Sequence, residues 1–183
     1  MPTTLAVFCK YLNNWFVETG TYHGDGVAYA LAAGFPQARS VELSPKLFSR
    51  CQQRFSEDKR VRLWQGDSSL LLQEMIEDIQ EPITFWLDGH YSCGETARGQ
   101  VTCPVLQELE IIGRHPLREH TLLIDDVRLL DTDEFERVGR EHVLAAVRAI
   151  RPDYEIFYED GEFPGHERLP QDILVARPPR STP

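Results

Sequence analysis

No long apolar run occurs in this sequence: no window approaches the about 20 continuous apolar residues that a membrane span needs. The N-terminal stretch MPTTLAVFCKYLNN holds one lysine and a short apolar patch with no convincing cleavage site, so no signal peptide is expected. Positive charge is also scarce. Nineteen Lys and Arg stand against 29 Asp and Glu, giving a net charge of −10 and a pI near 5.0. That balance weighs against a nucleic-acid backbone or an anionic membrane surface as the main partner. The four cysteines, Cys9, Cys51, Cys93 and Cys103, form no CxxC pair, which weighs against a zinc cluster and against a disulfide framework. Reduced thiols in a cytoplasmic protein are the expectation. With no internal repeat and no low-complexity linker, the 183 residues are read as one domain over 1–183.

What the chain does contain is an alternation of short β-like runs with helical patterns. Strand candidates are WFVET (15–19), SVEL (40–43), VRLWQ (61–65), ITFWL (83–87) and TLLID (121–125), each bounded by turn residues. Helical stretches lie between them: GVAYALAAG with a glycine stop, PKLFSRCQQRF behind Ser44, SSLLLQEMIEDI behind Asp67, CPVLQELEIIGR, and EFERVGREHVLAAVRAI. This order implies parallel strands joined by right-handed crossovers in a doubly wound, Rossmann-like α/β sheet. The rhythm breaks at the end, where YEIFYED (154–160) and DILVARP (172–178) have no helix between them. They predict a C-terminal antiparallel hairpin and seven strands in all.

In such a sheet ligands bind beyond the carboxyl ends of the strands. Each of the first five strands is predicted to end in a carboxylate: Glu18, Glu42, Asp67, Asp88, and the pair Asp125–Asp126. Aspartate after a strand is often only a turn former or a helix cap, which suits Asp67 and the Asp125–Asp126 pair equally well. Glutamate is neither, so Glu18 and Glu42 point to a site. The loop ETGTYHGDG after strand one spaces its glycines G-x-x-x-G-x-G, which is neither the dinucleotide fingerprint nor a P-loop. Glu18 before the first glycine repels a pyrophosphate and suits a ligand with a cationic group. Glu42 is placed to accept from both hydroxyls of a ribose, and Asp67 from an exocyclic adenine amine. The requirements converge on an adenosine with a positively charged, phosphate-free tail.

The glycine loop, Glu42, the GDS run at 66–68 and the terminal hairpin resemble the class I S-adenosylmethionine (SAM)-dependent methyltransferases, over roughly Trp15 to Arg177. The resemblance implies SAM as cofactor, with Glu18 and Gly20 along its methionine portion, Glu42 at the ribose and Asp67 at the adenine, and with Thr21, Gly24, Leu43 and Ser68 also among the cofactor-binding residues. Tyr22 stands where the family loop usually has its second glycine. Asp88 with Asp125 and Asp126 is similar to the metal-binding aspartates of macrocin-type and novobiocin-type sugar O-methyltransferases, which implies Mg²⁺ and O-methylation of a small molecule. Carboxylate oxygens at adjacent strand ends suit that ion. Asp88 and His90 are then the catalytic candidates, His90 as acceptor of the substrate proton. The sugar enzymes place an aspartate there, and the alternative is that His90 is itself a metal ligand, or a plain loop histidine. Tyr91 and Cys93 are read as shaping the pocket. Competing readings are an NAD(P)-dependent Rossmann oxidoreductase and a catalytically silent cofactor-binding domain. A core without a capping domain leaves room for a partner or a second copy to complete the acceptor pocket.

Overall fold

The computed structural model describes residues 3–90, 99, 101–163 and 167–180. Seven strands form one sheet: β1 (Trp15–Thr19), β2 (Gln37–Glu42), β3 (Val61–Gln65), β4 (Ile83–Leu87), β5 (Thr121–Ile124), β6 (Glu155–Phe163) and β7 (Glu167–Arg177), in the order β3-β2-β1-β4-β5-β7-β6. The first five pair in parallel, while β7 runs antiparallel to both β5 and β6. This is the Rossmann-like sheet with its terminal hairpin that the alternation predicts. Strand order reverses between β1 and β4, which puts a crevice above their carboxyl ends.

Side chains alternate across each central strand, and both faces are apolar. Val17, Phe85, Leu122 and Leu174 point into one core with α4 (Ser68–Ile76), α5 (Val105–Arg114) and α6 (Arg140–Ile150). Phe16, Trp86, Leu123 and Val175 point into the other, with α1 (Thr3–Phe8) and α2 (Asp25–Ala33). Continuous apolar runs are what a parallel sheet covered on both sides requires. The remaining helix, α3 (Pro45–Arg54), begins at Ser44, whose hydroxyl accepts from the Leu47 amide, with Pro45 at its first position. Among the described residues no helix is long and apolar enough to cross a membrane.

Several boundaries differ from the sequence reading, among them β7, which starts at Glu167 rather than Asp172. β2 starts at Gln37 rather than Ser40, because Ala38 to Ser40 pair with both neighbours in register. The last helix starts at Arg140; residues 127–129 and 133–135 form separate 3₁₀ turns, with Glu136 and Arg137 in left-handed backbone that stops helix propagation. α1 was not expected. Its six residues are too few to show a period, and burial of Val7 and Phe8 against β1 and β4 aromatics holds it.

At the amino ends of the strands two buried histidines form a chain. The Ile83 amide donates to His120 Nδ1 at 3.1 Å, His120 Nε2 lies 3.0 Å from His115 Nδ1, and His115 Nε2 lies 3.1 Å from the Ile79 carbonyl. Each ring in this network accepts at Nδ1 and donates at Nε2. Burial, and then the neighbouring His115, lowers the His120 pKa to about 4.

Candidate active site

At the opposite ends of the strands the ladder continues past the regular pairing. The Gly20 and Thr21 amides donate to the Val41 carbonyl at 3.0 and 3.1 Å, Asp88 to Thr19 at 3.2 Å, Asp125 to Leu87 at 3.1 Å, and Gly66 to Glu42 at 2.9 Å. The acidic strand ends therefore share one rim of the sheet.

On the β1–β2 side the glycine loop is built around two glutamates. Gly20 has φ of 84°, and a Cβ there would lie 2.2 Å from the Asp88 carbonyl oxygen, so the β1 and β4 ends can approach only at a glycine. A Cβ on Gly26 would lie 1.9 Å from Glu18 Oε1, because that carboxyl sits against the first turn of α2. Gly24, also at φ 84°, packs on the Phe55 ring. Glu18 is buried; Ser40 Oγ donates to its Oε2 at 2.5 Å and lies 2.6 Å from Thr21 Oγ1. Glu42, also buried, accepts from the Tyr22 amide at Oε2 and the Ser44 amide at Oε1, each at 2.8 Å. Tyr22 itself holds φ of 48°, the left-handed region that a glycine enters at no steric cost.

Burial raises the Glu18 pKa to about 8, against the Ser40 hydrogen bond, and the charges of Glu42 and Asp25 raise it further. Burial raises Glu42 too, partly offset by its backbone donors. The charges acting on Glu18 are carboxylates, so a cation placed beside it would favour its ionised form. Farther along the rim, Asp67 caps α4, its Oδ1 accepting from the Ser69 amide at 2.9 Å. Its Oδ2 and the Leu43 side chain face Gly99, where a Cβ would lie 3.1 and 3.5 Å away. Asp67 is thus a cap and a wall of the cleft at once. Ser68 is buried and donates to Glu108 Oε1 at 2.6 Å.

On the β4–β5 side His90 stands between two carboxylates. Its Nε2 lies 2.7 Å from Asp126 Oδ2 and its Nδ1 3.3 Å from Asp88 Oδ1; the imidazole is 5% exposed, against 33% for the Asp88 side chain. The Phe135 ring packs 4.8 Å from the imidazole. Arg128 bridges Asp126 and the buried Asp172. Burial works against ionisation of Asp126, but the His90 and Arg128 contacts outweigh it and hold its carboxyl below the usual range. Asp88 and Asp125 are pushed the other way, by removal from water and then by the charge of neighbouring aspartates.

The three aspartates expected as one metal set are divided. Ligand atoms of Asp88, His90 and Asp126 lie within 4.8 Å of one another, and so do those of Asp125, Asp126 and Asp172. His90, expected as a base, is thus a member of the first group, while Asp125 belongs with Asp172, whose carboxylate the Arg128 guanidinium already neutralises. Tyr91 and Cys93 lie outside the described residues.

Sequence reasoning missed Ser40, Arg128, Asp172 and Glu108. A signal exists for Glu108: it falls at i+3 from Val105 and i−4 from Ile112, on the apolar stripe of α5, where a carboxylate has no structural reason to be. Ser40, Arg128 and Asp172 carry no such mark.

No protein-family model and no curated protein matches the chain. Solved structures do. An O-methyltransferase from Bacillus cereus in complex with SAH is 12% identical with a TM-score of 0.64, over 95% of this chain and 78% of that one. An O-methyltransferase from Streptomyces achromogenes in complex with SAM, involved in tomaymycin synthesis, is 11% identical with a TM-score of 0.63, over 96% and 78%. The 23S rRNA methyltransferase ErmE is 16% identical with a TM-score of 0.59, over 97% and 68%. One of these neighbours is named for 23S rRNA and another for tomaymycin synthesis, and what they share with this chain is the fold. The chain has the Rossmann-like fold of the class I SAM-dependent methyltransferases.

Proposed function

We propose that this protein is a SAM-dependent methyltransferase acting on a small-molecule acceptor through oxygen. The observation that carries the reading is the glycine loop with Glu18 and Glu42 on it, a site that favours positive charge and offers fixed acceptors for ribose hydroxyls. Phosphate is disfavoured at the same place, which argues against NAD(P). The net charge of −10 argues against a polyanionic acceptor.

In this reading Glu42, with its carboxylate fixed by two amides, binds the ribose, and Asp67, Leu43 and Gly99 flank the adenine. Glu18 and the Gly20–Gly24 turn meet the methionine portion, whose charge lowers the cost of ionising Glu18. The acceptor oxygen attacks the methyl carbon as the carbon–sulfur bond breaks, and the electron pair stays on sulfur. Alignment carries most of the rate. Asp126 accepts from His90 Nε2–H and so directs Nδ1, on the Asp88 side, to take the proton of the acceptor hydroxyl. The arrangement follows the logic of an imidazole oriented by one carboxylate and acting with its other nitrogen.

A metal-assisted variant is favoured by one observation, the grouping of Asp88, His90 and Asp126. Two carboxylates and an imidazole fit a divalent cation, which would lower the pKa of a coordinated hydroxyl. His90 is then a ligand rather than the proton acceptor.

Titration calorimetry with SAM, SAH and NAD, with and without Mg²⁺, tests the proposal. Micromolar or tighter binding of SAM and SAH with none of NAD supports it. Binding of NAD, or of none of the three, would remove it. A SAM or SAH affinity that rises with Mg²⁺ and no longer does so in Asp126→Asn would favour the metal variant.

A further inference from the structure

Glu108 is a buried carboxyl that none of the assignments above uses. It is 1% exposed, projects from the first turn of α5, and touches both halves of the cleft from beneath. At the cofactor end Ser68 Oγ donates to its Oε1 at 2.6 Å, tying it to the first residue of α4 and so to the Asp67 cap. At the acceptor end it lies against Gly89: a Cβ there would sit 2.9 Å from Glu108 Oε1 and 3.1 Å from Thr19 Oγ1. That threonine hydroxyl is fully buried and the one buried side-chain polar atom without a hydrogen-bond partner among the described residues. A partly open cavity of about 10 Å³, room for the centre of one water, is lined by Glu108, Gly89, His90 and Asp125 among others. A polar group is buried in a core only where a hydrogen bond or a function holds it. Here one carboxyl reaches the end of β1, the start of α4 and the turn after β4.

We infer that Glu108 is a positioning residue, which keeps Ser68 at the adenine end and the Gly89–His90 turn at the acceptor end in one register. The inference rests on the methyltransferase reading for its consequence, but not for its geometry. Glu108 holds this register through its oxygens, by accepting from Ser68 and by closing against Gly89. Its volume alone would not do so. Its carboxyl, raised to about 7 by burial against the pull of the Ser68 hydroxyl, is close to indifferent between charged and neutral forms. An amide of the same shape can therefore stand in for it.

The test compares Glu108→Gln, which keeps an acceptor oxygen, with Glu108→Leu, which keeps the bulk and removes the buried polar group. Glu110→Gln, on the exposed side of the same helix, is the control. For each variant the melting temperature, SAH affinity and the amide signals of Ser68 and Gly89 in the ligand-free protein are measured. Glu108→Gln is expected to bind SAH within about threefold of wild type with both amide signals in place. Glu108→Leu leaves the buried Ser68 hydroxyl without its acceptor and is expected to melt lower than wild type, to shift both signals, and to lose about tenfold in SAH affinity, the scale of one charged hydrogen bond. A purely structural role is shown, and the inference overturned, if Glu108→Leu binds SAH as wild type does with Ser68 and Gly89 unmoved. If wild-type protein binds no SAH, the methyltransferase reading fails while the amide signals still decide the role of Glu108: shifted in Leu and kept in Gln supports it, and any other pattern ends it.

Discussion

The two ends of the sheet bury titratable groups in opposite ways. At the amino end, His115 and His120 form a chain in which each ring nitrogen has a partner. Nothing more is wanted there, and the chain is a structural one. At the carboxyl end, the buried Glu18 and Glu42 and the partly exposed Asp88 crowd like charges, and each carboxyl is pushed upward. His90 and Arg128 answer the aspartates on its β4–β5 side, whereas the charges acting on Glu18 are those of Glu42 and Asp25. The lesson is that burial of an ionisable group does not mark a site; burial with the wrong neighbours does.

The sharpest way to break this comparison is at His90. If it takes the acceptor proton, His90→Ala should lower turnover by about 10²–10⁴-fold while leaving SAH affinity within about threefold. Equal turnover would return His90 to the structural class of His115 and His120. Next in size, Glu42→Ala should weaken SAH about a hundredfold, from two lost acceptors and a loosened Tyr22 amide; calorimetry measures it. Smaller effects come from linkage. Glu18 has a folded pKa raised above the ordinary 4.5 to about 8, so its contribution to stability is full below about 4.5 and is lost as pH rises through 8. Glu18→Gln should therefore raise the melting temperature by about 2–4 °C at pH 8.5, and by less at pH 5, while weakening SAM binding. His120 has the opposite sign. Its folded pKa, lowered to about 4 from the ordinary 6.5, gives a contribution present above about 6.5 and lost as pH falls toward 4. Its ring signals should stay those of one neutral tautomer down to about pH 4.5. Titration near 6.5 would show that the amino end is not the closed network described.

Much of the fold was readable because its signals are local and repeated. β1, β3 and β4 begin and end where β-branched and aromatic runs meet turn residues, and Ser44 and Asp67 mark helix starts. The carboxylates at the strand ends were readable for the same reason. What pairs with them was not. His90 sits two residues from Asp88, but its closer partner is Asp126, which another strand end brings in. Asp172 reaches the rim only because β7 runs antiparallel beside β5. The metal candidates drawn from strand ends therefore included Asp125, which neighbours Asp88 in the sheet, while the side chains grouped around Asp88 in the structure are His90 and Asp126. Glu108 was marked by its place on an apolar stripe, yet its meaning depends on Ser68 and Gly89, 40 and 19 residues away.

The central claim is that the Glu18 carboxyl waits for the cationic part of an S-adenosyl nucleoside. It is tested most directly by SAM titration calorimetry at pH 7.5 in buffers of differing ionisation enthalpy. Below its pKa of about 8 the free Glu18 is largely protonated, and a cation beside it favours the ionised form. SAM binding should release a fraction of a proton in the wild type, and markedly less in Glu18→Gln. SAM binding with no dependence on buffer, or with equal proton release in both proteins, would contradict the claim.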